Sequence, residues 1–135
     1  MTEVEHRSQS GSVSAAISNA SVRLLSDFTG RGPTKAKTTI NRDSVLIVFG
    51  NVLTKAERTL VENGDREAVL QMRKRFQHAM GGDLVEIVES HTGRSVVAFM
   101  SDNHIDPDLA AEIFILAPLP ADEAYGADGA EPDDA

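Results

Sequence analysis

The sequence predicts an α+β domain of two layers, a four-stranded antiparallel sheet packed against helices in the order α-β-β-α-α-β-β. Three observations carry that prediction. Short apolar runs come as two pairs, Lys37–Ile40 with Ser44–Phe49 and Val96–Met100 with Ile113–Leu116. A long stretch with apolar residues at helical spacing lies between the pairs, and a second such stretch precedes the first pair. Turn-forming residues punctuate each change of period. At 135 residues the chain fits one domain, which buries roughly two thirds of the surface exposed when unfolded.

Taken in order, residues 1–11 are polar, end in Ser8-Gln9-Ser10-Gly11, and are expected to be a disordered lead-in. Val13, Ile17, Ala20, Leu24 and Phe28 then fall on one helix face, which predicts a helix over 12–28 capped by Ser12. Gly30 suits the left-handed residue that stops a helix, and Pro33 biases Gly32 towards extended backbone. The first two strands follow, joined through Asn41-Arg42-Asp43. Val45-Leu46-Ile47-Val48-Phe49 is apolar at every position, the pattern of a strand covered on both faces, by a helix or by a second subunit. A homodimer is expected on that ground.

Thr54-x-x-Glu57 is a capping box, and Leu53 ahead of it can staple the helix it opens. Asn63-Gly64 stops that short helix, and Asp65 caps a longer one with Val69, Met72, Phe76 and Met80 on one face. Gly81-Gly82 interrupts the pattern at a cost of about 1 kcal/mol per glycine. The expectation over 65–92 is one helix with a weak point there. Ser101–Ala110 reads as a ten-residue loop between the last two strands. The domain spans 12–117, and residues 118–135 are expected to be a disordered acidic tail.

Composition narrows the function classes. The net charge of −8 sits mostly in the tail, where Asp122, Glu123, Asp128, Glu131, Asp133 and Asp134 occur without Lys or Arg. The body is therefore close to neutral. Aromatics are 4% with no Trp, which argues against a base-stacking platform for nucleic acid. The absence of cysteine excludes a disulfide framework, a thiolate metal site and a cysteine nucleophile. No apolar run approaches the roughly 20 residues of a membrane span, so a cytoplasmic protein without direct membrane insertion is expected.

Three groups of residues are candidate sites. Gly30, Arg31, Gly32, Thr34, Lys35 and Lys37 combine a glycine-containing turn with three cations, a composition suited to an anion. The plainer reading is a helix stop with solvated side chains. It matches neither a P-loop nor a dinucleotide fingerprint, and no cofactor is implied. Asp102, His104, Asp106 and Asp108 alternate in the loop and are candidates for a divalent cation, although the calcium-loop pattern is missing. Arg66, Arg73 and Lys74 suggest a basic helix face for nucleic-acid phosphates, yet successive residues diverge by about 100° around a helix. No spacing sets a nucleophile beside a base, so no catalytic residue is assigned.

Gly30-Arg31-Gly32-Pro33, Val52-Leu53-Thr54-x-x-Glu57-x-x-Leu60, and Glu89-x-x-Thr92-Gly93-Arg94 followed by an apolar strand and Ser101-Asp102 together resemble the MpsC-like domain family of the membrane-potential-generating system. The resemblance covers about residues 13–117. It implies a small cytosolic domain connected with a cation-translocating or inorganic-carbon membrane system, and it transfers no catalytic set. Gly81-Gly82 and the acidic tail depart from the family pattern. The expected function is a non-enzymatic accessory or regulatory module that binds a partner protein such as a membrane transport assembly, with anion binding at Gly30–Lys37. The alternative is a nucleic-acid-binding regulator.

Overall fold

A computed structural model describes the backbone of residues 3–30 and 34–120, and side chains from Gly11 onward within those ranges. The elements are α1 (Glu3–Thr29), β1 (Lys35–Asn41), β2 (Ser44–Gly50), α2 (Lys55–Glu62), α3 (Arg66–Thr92), β3 (Val96–His104) and β4 (Leu109–Leu116). The four strands form one antiparallel sheet in the spatial order β1-β2-β4-β3. The α+β class and the element order are as the sequence predicts.

All helices lie on one face of the sheet. Side chains pointing that way from the strands (Val45, Ile47, Phe49, Ala110, Phe114 and Leu116) form one core with Ile17 and Leu25 of α1 and Met80, Leu84 and Val88 of α3. Phe99 and Phe114 stack tilted within it, ring centroids 5.0 Å apart. A smaller cluster of Leu53, Val69 and Ile105 seals the α2 end. Of the two ways in which β2 could be covered on both faces, a helix of the same chain is not the one found among the described residues. Val45, Ile47 and Phe49 are buried while Leu46 and Val48 are not, and no described helix crosses the second face.

Several local expectations change. Helix α1 runs back to Glu3, through the segment expected as an unstructured lead-in. That segment holds no proline, the residue that would break a helix. Among the described side chains of α1 the buried ones are Ile17, Ser21 and Leu25, with Phe28 on the rim at 37% exposure. Small side chains let α1 approach β1, where the Ser18 and Thr38 hydroxyls hydrogen-bond at 2.7 Å. Gly30 ends the helix at φ 68° as expected.

Helix α3 is a single helix across both glycines. A Cβ on Gly81 would stand 3.1 Å from the Phe99 ring, whereas one on Gly82 would meet nothing. Gly81 is thus a packing residue rather than a hinge. The buried stripe of α3 is Val69, Arg73, Gln77, Met80, Leu84 and Val88, not the one through Met72, which is 38% exposed. The long loop is also corrected: β3 continues through His104 and β4 starts at Leu109. On the β3 side Ser101–His104 is polar on both faces, so apolar patterning does not reveal the extension. The tail beyond residue 120, with its acidic side chains, lies outside the described residues.

Candidate functional site

Among the described residues, the feature without a structural partner is the second face of the sheet. Antiparallel register fixes its rows. Lys37, Val48, Ala111 and Asp102 form one row across β1, β2, β4 and β3. Thr39, Leu46, Ile113 and Met100 form the next. Lys35, Gly50, Leu109 and His104 lie on one side of these rows, and Asn41, Ser44, Ile115 and Ala98 on the other. The middle of the face is apolar, with Leu46 36%, Met100 50% and Leu109 38% exposed. Met100, Asp102, Ala111 and Ile113 border a shallow depression of ≈ 260 Å³. A bulge between Val96 and Ala98 leaves Val97 63% exposed at the rim.

Two sets of candidates from the sequence meet on this face, at opposite edges. Lys35 and Lys37 stand on β1 with Ala36, Thr38 and Ile40 turned to the helices. Thr34 is buried, so it does not share the direction of the lysines. Gly30 is in place as a helix stop, and Arg31 and Gly32 lie outside the described residues. Asp102 and His104 lie on β3, while Asp106 and Asp108 belong to the turn. They do not converge: among the described residues no three His, Asp or Glu side chains could hold a metal ion. His104 Nδ1 is 2.9 Å from the Pro107 carbonyl, and Asp108 Oδ2 accepts the Leu53 N–H at 3.0 Å. Asp102 Oδ1 accepts the Asn103 N–H at 2.8 Å.

Beneath the sheet runs a buried polar row that apolar patterning cannot show. Glu57 Oε1 accepts the Thr54 N–H at 2.8 Å and closes the capping box. The same oxygen meets Arg73 at 3.4 Å, with both side chains almost wholly buried. One turn along α3, Gln77 Nε2 donates to Glu112 Oε2 at 3.2 Å and to the Asp102 carbonyl at 3.2 Å. Gln77 Oε1 accepts from Asn103 at 2.7 Å. Burial pushes the Glu112 carboxyl from 4.5 up to about 7, against the opposing pull of Gln77, Ser101 and Arg73. Glu112 is 1% exposed, and its partners Gln77 and Ser101 stand between it and a cleft of ≈ 370 Å³ that they help to line.

The basic helix face is dismantled by the same row. Arg73 is 3% exposed and points into the core, away from Arg66 and Lys74. Lys74, with Gln71, Arg75 and His78, instead borders an open groove of ≈ 430 Å³ along α3. A cleft of ≈ 470 Å³ opens where α2 meets the β3–β4 turn, with Arg58, Arg66 and Asp108 among its lining. Its charges are mixed, and Arg58 already bonds Asn51 and reaches Asp108 at 3.5 Å.

The motifs that carry the family resemblance serve the scaffold. Glu89 accepts the Val96 N–H at 2.9 Å, and Gly93 caps α3 at φ 71°. Arg94 donates to Asp43 and to the Ala117 carbonyl, both at 2.7 Å, and to the Arg42 carbonyl. It ties the β1–β2 turn to the end of β4.

The family model described as "Na+-translocating membrane potential-generating system (MpsC)" matches residues 9–118. The chain is also similar to "Uncharacterized protein YbcI" of Bacillus subtilis (strain 168), 30% identical over 95 residues, which cover 68% of this chain and 75% of that protein. No solved structure matches significantly.

Proposed function

This chain belongs to the MpsC family of the Na+-translocating membrane potential-generating system, and from that premise we propose that it serves such a membrane system as a non-enzymatic accessory or regulatory module. It works by protein contact on the cytoplasmic side, as a homodimer whose subunits meet through the open sheet face. The single observation that carries the reading is the exposed apolar centre of that face, Leu46, Met100 and Leu109 with Val48 and Ile113 between them. Apolar side chains grouped on a flat sheet mark contact with another macromolecule. None of the described helices is long and apolar enough to cross a membrane, so the link to the membrane system runs through a protein partner. The non-enzymatic reading is supported by the burial of Glu112, whose raised carboxyl is 1% exposed and held by Gln77.

The test is isolation of the tagged full-length chain from detergent-solubilised membranes of its host, with identification of what comes with it. Subunits of an ion-translocating membrane assembly are expected. Isolation of the chain with no membrane subunit would overturn the assignment to such a system.

A further inference from the structure

We propose that a second copy of this chain covers the open sheet face, back to back, about a two-fold axis that runs parallel to the strands. The inference rests on reading that face as a protein-contact surface, and it names the occupant and its orientation.

Charge and register carry it. The outer face is basic along β1, at Lys35 and Lys37, and acidic on β3 at Asp102. Three strand spacings of ~4.8 Å separate those edges by about 14 Å, too far for Lys37 and Asp102 of one chain to pair. A sheet packed face to face on its own copy can be related by an in-plane two-fold in two ways. An axis across the strands lays β1 on β1 and brings lysine over lysine. An axis along the strands lays β1 over β3 and β2 over β4, and keeps every row in line.

Because Lys37, Val48, Ala111 and Asp102 share one row, that second axis sets Lys37 of each copy over Asp102 of the other. Two opposite-charge pairs then close the rim of an apolar centre in which Leu46 meets Ile113. Facing sheets pack about 10 Å apart with strands within about 30° of parallel, a gap that a lysine and an aspartate together can bridge. Lysines on β1 also discourage edge-to-edge growth, so the contact closes as a dimer instead of extending.

The test uses the purified full-length chain and its molar mass by sedimentation equilibrium. Wild type is expected to dimerise. Lys37→Glu alone places acid on acid at both rims, and Asp102→Lys alone places base on base, so each is expected to weaken the dimer at least about tenfold at low salt. An equimolar mixture of the two variants has complementary rims in the heterodimer only and is expected to regain dimer. Ile113→Arg should give a monomer with an unchanged circular dichroism spectrum. A wild-type monomer, single charge variants that dimerise like wild type, or a mixture that gains nothing would each overturn the proposal. The membrane isolation above does not depend on this outcome, so the two readings fail separately.

Discussion

Single residues on α3 decide what the interior of this domain tolerates. Arg73 and Gln77 continue the buried stripe that starts at Val69, and both are held by carboxylates: Arg73 by Glu57, Gln77 by Glu112. Removing one partner of a buried ion pair leaves the other charge uncompensated, so Arg73→Ala should cost about 3–5 kcal/mol in urea denaturation. A loss no larger than that of an exposed residue such as Arg75→Ala would show the pair to be unimportant. Glu112 gives a pH signature. Its folded value of about 7 lies above the ordinary 4.5, so the native state binds the proton more tightly. Stability is full below about 4.5 and falls as pH rises, with the loss complete above about 7, some ~3 kcal/mol in all. Glu112→Gln should flatten that part of the profile and be more stable than wild type at pH 8. An unchanged slope between pH 5 and 7 would exclude Glu112 as its source.

Among the elements, α3 and the β3–β4 hairpin show what could be read in advance. The spacing of Val69, Met80, Leu84 and Val88 announces a helix, and the capping box at Thr54 and the stop at Gly93 are legible because their chemistry is local. The stripe through Arg73 and Gln77 is not legible, since nothing in the sequence marks a polar residue as buried until its partners on α2 and β4 are in place. The hairpin was hidden for the same reason: Ser101, Asn103 and Glu112 face the helices, so the strand ends carry no apolar alternation. The glycines separate by environment. Gly82→Ala meets empty space and should raise stability by about 0.5–1 kcal/mol. Gly81→Ala pushes on Phe99 at 3.1 Å, which should cancel that gain and cost about 1 kcal/mol net. Equal thermal shifts for the two variants would contradict the packing role of Gly81.

For the molecule as a whole, helices on one side leave the other side of the sheet uncovered by any described residue, and the uniformly apolar β2 is the part of that feature visible in the sequence. The run Val45–Phe49 could say that both faces are apolar but not which one is open. The two candidate charge groups looked like separate sites because they lie far apart in the chain. Only the strand order β1-β2-β4-β3 puts Lys35 and Lys37 on one edge of a face and Asp102 on the other. The motifs that identify the family sit at helix ends and turns, so they specify the fold and leave the contact surface to the strands.

The claim that a second copy of the chain covers this face is tested most directly by light scattering on the full-length chain beside Ile113→Arg. The expected result is a mass of twice 14.5 kDa for wild type and 14.5 kDa for the variant, with matching circular dichroism spectra. The contradicting result is one and the same mass for both proteins.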